Sequence, residues 1–310
     1  MEDKLSGIVN GQEKIKSGFV AIIGAPNVGK STLLNQILGQ KVSITCPKPQ
    51  TTRNRIVGIY TSQTSQIVFL DTPGIYTYKK DKLDEFMVKT ALKAASDVDV
   101  ICLMVEATAK KNTHDLNVIK QISKVSAPTI LLINKIDLIK RQLLLPIIDK
   151  YKDLGSFEAV IPISALYKDG IDRLISEIEK LLPYGPKYYP DDMWTDQPER
   201  FIAAEIIREK IFHLLREEVP YAVAVTIDYF EEVPDRNLLR IGATIHVEKK
   251  SQKAIIIGEK GRMLKEIGSK ARVELEHIFG TRIFLELWVR VEKKWRRDEK
   301  VLRKFGYRVG

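Results

Sequence analysis

Apolar residues come in short unbroken runs through the first part of the chain. Positions 19–23, 67–70, 100–105, 129–133 and 160–163 are apolar on both faces, the pattern of strands in a buried parallel sheet. Between them the spacing changes to three and four, as at Leu116, Ile119, Ile122 and Val125, which predicts helices. Strand–helix alternation predicts an α/β domain with a mostly parallel, doubly wound sheet, whose ligands sit outside the carboxyl ends of the strands. Four prolines between Pro183 and Pro198 then read as a semi-extended linker.

Beyond the linker the pattern restarts. Residues 200–218 read as an amphipathic helix, and 222–230 and 240–247 as strands. Ala254, Ile255, Ile256 and Ile257 read as a further strand entering a Gly-x-x-Gly turn. Two helices separated near Gly268, an alternating strand over 281–291 and a basic helix over 293–305 follow. The expected division is a tail (1–16), the α/β domain (17–183), the Pro-rich linker (184–199) and a smaller α+β domain (200–310).

Composition narrows the class. Of 310 residues, 44% are hydrophobic and 29% charged, which is that of a folded chain. No apolar run reaches the ~20 residues of a spanning helix, and the start carries no apolar leader. Cys46 and Cys102 cannot make a disulfide framework or a four-thiolate metal site. Small secreted scaffolds, zinc fingers and transmembrane proteins are excluded, and a reducing cytosol is favoured. The net charge is +10, and residues 249–310 alone hold 18 basic and 8 acidic residues. Such a surplus suits a polyanion, with nucleic acid ahead of an anionic membrane surface.

Four loops that follow strands carry the candidate chemistry. Gly24-Ala-Pro-Asn27-Val28-Gly29-Lys30-Ser31 fits G-x-x-x-x-G-K-[ST] between a strand and a helix. Its backbone, with Val28 and Thr32, would cradle phosphates. Lys30 would reach the β- and γ-phosphates, and the Ser31 hydroxyl would bind Mg²⁺. Asp71-Thr72-Pro73-Gly74 offers a metal carboxylate and, at Gly74, an N–H that senses the γ-phosphate. In Asn134-Lys135-Ile136-Asp137 the Asp137 carboxylate can accept from both N1–H and the 2-amino group of guanine, donors that adenine lacks. Charge-assisted bonds of this kind are worth roughly 1.5–3 kcal/mol each. Asn134 would meet the base edge and brace the phosphate loop, and the Lys135 stem would cover the base. Ser164-Ala165-Leu166 would meet the guanine carbonyl with a backbone N–H.

This order of loops resembles the translation-factor-like GTPases of the P-loop class. The resemblance implies a switch threonine that binds Mg²⁺, either Thr52, the favoured one, or Thr51. It also exposes a departure. Ile75 stands where Ras-type enzymes carry a water-orienting Gln, so slow intrinsic hydrolysis is expected. Some related GTPases with a hydrophobic residue there use K⁺ held by the phosphate-loop Asn, here Asn27.

In the second domain, Gly258-Glu259-Lys260-Gly261-Arg262 resembles the turn of the KH module, whose glycines clamp a nucleic-acid backbone over about four nucleotides. The apolar Ile255, Ile257, Met263, Leu264 and Ile267 are expected in the core. Lys293, Arg296 and Arg297, with Arg308 in the same basic tail, are expected at phosphates. Trp288 and Trp295 have faces for base stacking, though packing is the commoner use. A P-loop GTPase domain followed by a KH domain resembles the bacterial Era family over nearly the whole chain. That resemblance implies a Mg²⁺-dependent GTP/GDP switch that binds the 3′ end of small-subunit ribosomal RNA and acts in assembly of the 30S particle. It implies a cytoplasmic monomer with some peripheral association with the inner membrane. The competing expectation is a GTP sensor at the membrane whose basic tail grips anionic lipid.

Overall fold

The computed structural model describes residues 8–9, 12–13, 15–76, 81–108 and 113–307. Most of the expected 1–16 tail, and Arg308, lie outside the described residues. The chain forms two compact units. The first comprises Met1–Ser43, Thr52–Tyr78 and Met87–Asp196; the second comprises Ile44–Thr51, Lys79–Phe86 and Gln197–Gly310.

The first unit opens with a short antiparallel pair, β1 (Ile8–Val9) and β2 (Gln12–Glu13). Its sheet then runs through β3 (Ile15–Gly24), α1 (Lys30–Leu38), β4 (Ile56–Thr61) and β5 (Ser65–Asp71). It continues through α2 (Lys82–Ser96, which enters this unit at Met87), β6 (Val100–Glu106), α3 (Thr113–Ile122), β7 (Thr129–Asn134), α4 (Leu144–Lys152), β8 (Ala159–Pro162) and α5 (Ile171–Leu181). Strand order is β4-β5-β3-β6-β7-β8, with a short β9 (Tyr184–Gly185) antiparallel on β3. All pairings from β5 to β8 are parallel, and β4 is antiparallel to β5. The apolar runs are buried on both faces: Val20 to Ile23, Ile101 to Met104 and Ile130 to Ile133 are at most 1% exposed. Burial of both faces explains why these strands read as continuous hydrophobic runs. The sheet changes direction of winding at β3, so the crevice beyond its carboxyl end is the place for a ligand.

The Pro-rich stretch is anchored within the first unit. Gln66 Oε1 accepts from the Tyr188 and Tyr189 amides at 2.6 and 3.0 Å, and the Ile59 amide donates to Trp194 O at 3.0 Å.

The second unit contains α6 (Glu199–Leu214), β10 (Ala224–Val233), β11 (Leu238–Val247), α7 (Lys250–Ile257), α8 (Arg262–Phe279), β12 (Arg282–Val291) and a final short α9 (Glu299–Lys304). β10 and β11 are antiparallel, and β11 and β12 parallel. Helices α6 and α8 pack together, α6 also on β10 and α8 on β12.

Three expectations are corrected here. Residues 254–257 are the last turns of helix α7, not a strand. Gln252 caps that helix by accepting from the Glu248 and Lys249 amides at 2.9 and 3.0 Å. Ile256 is therefore the core residue at 0% exposure, and Ile255 is 48% exposed. The β-branched run imitated a strand because burial follows the helical period only at one of its three isoleucines. Gly268 does not separate two helices, since α8 passes through it without a break. A Cβ there would lie 3.3 Å from Leu287 Cδ1, so the residue serves close packing on β12. The basic helix at 293–305 is interrupted. A turn at Trp295–Arg297 precedes α9, and Asp298 caps α9 through the Lys300 and Val301 amides.

Candidate nucleotide site and nucleic-acid groove

Beyond β3 the loop turns on Gly29, whose φ of 105° lies in the left-handed region. A Cβ at this position would stand 2.3 Å from Asn134 Nδ2, so both backbone and space require glycine. Helix α1 starts at the next residue, and its first N–H groups lack intrahelical partners. Lys30, 6% exposed, donates to the carbonyls of Gly24 and Ala25 at 3.2 and 2.9 Å. Burial lowers its pKa to about 8 against the pull of Asp71. Asn27 is exposed with φ 62°, and Thr32 lies half-buried in the first turn of α1.

An all-oxygen cluster lies at the carboxyl end of β5. Ser31 Oγ donates to Asp71 Oδ2 at 2.6 Å, and Thr52 Oγ1 is 2.8 Å from Ser31 Oγ. Thr51 instead turns its hydroxyl to Lys48 O at 2.8 Å, so Thr52 is the threonine brought to the cluster. Asp71 is fully buried and its Oδ1 has no hydrogen-bond partner. Burial pushes its carboxyl above the usual range, with Ser31, Lys30 and Ser43 opposing. A buried carboxylate with an unused oxygen beside two hydroxyls fits a small hard cation such as Mg²⁺. Among the described residues no His/Cys/Asp/Glu cluster suits another metal. Ser43 belongs to this cluster too, donating to Asp71 Oδ2 at 2.8 Å. Sequence reasoning missed it, because a lone serine 28 positions before its partner belongs to no motif.

On the base side, Asn134 is 3% exposed and both ends of its amide are used. Nδ2 donates to Val28 O at 2.7 Å, and Oδ1 accepts from the Ala165 amide at 2.9 Å. It thus braces the phosphate loop against the 164–166 loop. Asp137 is exposed, and its Oδ1 accepts from Ser164 Oγ at 2.6 Å. Lys135, with φ 65°, pairs with Glu106 at 2.7 Å, and Leu166 is 60% exposed. Gly74 abuts Pro26, where a Cβ would fall 2.7 Å from Pro26 N. Ile75 is 1% exposed in the core with Ala21, Ile23 and Ile101. Its amide donates to Gly24 O at 3.1 Å, so this side chain contributes packing and orients no water.

The second unit holds a groove of about 360 Å³ between α8 and β12, lined by Gly261, Leu264, Lys265, Gly268, Ser269, Arg272, Leu285 and Leu287. The turn at its end has positive φ at Gly258, Lys260 and Gly261. A Cβ on Gly258 would strike Met263, but nothing lies within 4 Å of one on Gly261, which leaves that backbone open to a ligand. Glu259, Lys260 and Arg262 are exposed around it. Leu264, expected in the core, is only half-buried and lines the groove instead.

Comparison with known proteins finds relatives for both units. A family described as 50S ribosome-binding GTPase matches residues 19–135, and one described as KH domain matches 218–296. The GTPase Era of Syntrophus aciditrophicus is 56% identical over 94% of this chain and 95% of its own length. That of Geobacter metallireducens is 54% identical over 94% and 98%. The chain belongs to the Era family of GTPases. An Aquifex aeolicus Era variant solved with GDP and AlF4⁻ superposes with a TM-score of 0.91 at 46% identity, covering 94% of this chain and 99% of the other. A structure of Era in complex with MgGDPNP and nucleotides 1506–1542 of 16S ribosomal RNA gives the same values.

As an Era-family member the protein is a GTP-hydrolysing enzyme built from a P-loop GTPase domain and a KH domain. The expected nucleotide residues follow the carboxyl ends of β3, β5, β7 and β8. The basic tail is less uniform than the sequence suggested. Lys293 and Arg297 are exposed, but Arg296 pairs with Asp81 at 2.6 Å and is 17% exposed. Trp295 is fully buried and donates to Ala222 O at 2.9 Å, which removes it from base stacking; Trp288 is 42% exposed. Groove residues Lys265, Ser269 and Arg272 were missed. Their signal was the spacing of 261, 264, 265, 268, 269 and 272 along one helix face.

Proposed function

We propose that this GTPase is a GTP-controlled switch that binds the 3′ end of small-subunit ribosomal RNA and acts in assembly of the small ribosomal subunit. The observation that carries it is the co-occurrence, in one chain, of the braced phosphate loop and the open Gly261 groove. A relative 46% identical over 94% of the chain is known with MgGDPNP and 16S nucleotides together. The G-domain family's description names the large subunit; the full-length relative with RNA weighs more, because it covers the KH domain as well.

In this reading Gly24, Asn27, Val28, Gly29, Lys30 and Thr32 hold the phosphates, and Asn134, Lys135, Asp137, Ser164, Ala165 and Leu166 form the guanine pocket. Ser31, Thr52 and Asp71 would hold Mg²⁺, which when bound supplies positive charge between the β- and γ-phosphate oxygens. Lys30 neutralises the same phosphates, and the Gly74 N–H senses the γ-phosphate. Because Ile75 lies in the core and orients no water, intrinsic hydrolysis is slow; Asn27 would hold a K⁺ that would supply positive charge at the phosphates, in which case turnover is faster in KCl than in NaCl. Glu259, Lys260, Arg262, Lys293 and Arg297 line the RNA path, with Arg296 reaching it only if it leaves Asp81. The protein works as a cytoplasmic monomer, with peripheral membrane contact secondary; among the described residues no helix is long and apolar enough to cross a membrane.

Gly261→Asp tests this reading. The site has open space, and aspartate tolerates left-handed backbone, so the fold survives while a carboxylate faces the RNA backbone. RNA affinity falls at least tenfold, while binding to anionic vesicles and to GTP is unchanged. Loss of vesicle binding with RNA binding intact would favour the membrane reading.

A further inference from the structure

The second unit includes not only the KH elements but also Ile44–Thr51, the segment directly before Thr52. Helix α6 and Leu215, the residue that ends it, fasten this segment through five hydrogen bonds. The Thr45 amide donates to Glu209 Oε1 at 2.9 Å, and Thr45 O lies 3.0 Å from His213 Nε2. Lys48 Nζ donates to the Phe212 and Leu215 carbonyls at the end of the helix. Arg208 Nη2 donates to Thr51 O.

Arg208 is an expensive residue to place there. It is 1% exposed, its Nε donates to Glu205 Oε1 at 2.8 Å, Nη2 reaches Glu205 Oε2, and its guanidinium lies 5.4 Å from the Phe212 ring centroid. A buried guanidinium is costly to hold unless its charge is paired and its donors are used; here Nε and Nη2 join Glu205 to one backbone carbonyl, while Nη1 is buried with no hydrogen-bond partner. We propose that Arg208 is a positioning residue for GTP hydrolysis, fixing through the Thr51 carbonyl the backbone from which Thr52 reaches the Ser31–Asp71 oxygens.

The peptide between Thr51 and Thr52 is planar, so holding the carbonyl of one sets the direction in which the chain enters the other. Thr52 Oγ1 then stands 2.8 Å from Ser31 Oγ without having to be ordered when the triphosphate binds. Pre-ordering of this kind raises affinity only for a ligand that uses the ordered group. The inference rests on the reading of Thr52 as a Mg²⁺ ligand of the triphosphate state. It therefore predicts a loss confined to GTP and its analogues.

The test uses the full chain with Mg²⁺ and fluorescent GDPNP and GDP, for wild type, Arg208→Ala, Arg208→Lys, Lys48→Met and Thr52→Ala, with circular dichroism for folding. Arg208→Ala weakens GDPNP at least tenfold, leaves GDP within twofold and lowers kcat at least tenfold. Lysine cannot span Glu205 and Thr51 together, so Arg208→Lys gives an intermediate loss, and Lys48→Met a smaller one in the same direction. GDPNP and GDP weakening together, or both unchanged in folded protein, overturns the proposal. If Arg208→Ala does not fold, Arg208→Lys and Lys48→Met decide by the same criterion. Thr52→Ala separates the two readings. If it spares the preference for GDPNP, the assignment of Thr52 fails and the proposal with it; if it removes the preference but the Arg208 variants keep it, only the proposal fails.

Discussion

Replacing Asn134 by alanine removes one side chain and disconnects two loops. Its amide holds Val28 O at 2.7 Å and the Ala165 N–H at 2.9 Å, both in buried surroundings. Truncation leaves a buried carbonyl and a buried amide unpaired, each at a cost of about 1–3 kcal/mol. The vacated volume of an amide admits one water, which restores part of one partnership, so we take about 2–4 kcal/mol. At about 2–4 °C per kcal/mol for a domain of this size, the transition of the first unit falls by roughly 4–16 °C. GTP affinity falls with it, since phosphate and base loops no longer arrive pre-aligned. Scanning calorimetry of the full chain reads the first number and a fluorescent-nucleotide titration the second. Asn134→Asp, which sets a carboxylate oxygen against the Val28 carbonyl, gives a larger loss than alanine. A drop below 2 °C with nucleotide affinity intact would refute the brace.

Asp137→Asn replaces the acceptor of two charge-assisted bonds to guanine, so GTP affinity falls by about 10²–10⁴-fold without any gain for ATP, as read by isothermal titration. Ser43→Ala removes a donor 2.8 Å from Asp71 Oδ2; the Mg²⁺ concentration for half-maximal GTPase rate shifts by about three- to tenfold, with GTP affinity at saturating Mg²⁺ little changed. His246 stacks 4.2 Å from the Phe305 centroid and bonds Thr226 Oγ1 at 2.9 Å. Burial lowers its pKa from 6.5 to about 4, with Asp228 opposing and Arg290 and Lys304 adding. The unfolded chain takes up this proton first, so stability is full above pH 6.5 and declines as pH falls toward 4, by at most about 3 kcal/mol. His246→Gln flattens that decline in urea melts between pH 4 and 7.

The G-domain strands were legible because two buried faces leave an unbroken apolar run, and the four loops were legible because phosphate and guanine chemistry fix their residue types. Strand β4 was not: Ile56–Thr61 carries Gly58 and Thr61 and pairs as an edge hairpin, so it lacks such a run. The isoleucines at 255–257 misled because three β-branched residues in a row look the same in a strand and in a helix that buries one of them. Arg208, Glu209 and Ser43 were invisible for a different reason. Each acts on a partner brought near only by the fold, as with Arg208 and Thr51, which are 157 positions apart. Trp295 and Arg296 look like RNA contacts in a basic tail. Their partners, Ala222 O and Asp81, are likewise remote in sequence.

The most direct measurement is the affinity of the full chain for an RNA spanning nucleotides 1506–1542 of 16S ribosomal RNA, taken with Mg²⁺ and either GDPNP or GDP at one fixed salt concentration. A GTP-controlled switch binds this RNA at least several-fold more tightly with GDPNP. Equal affinity in the two nucleotide states, or no binding in either, contradicts the account.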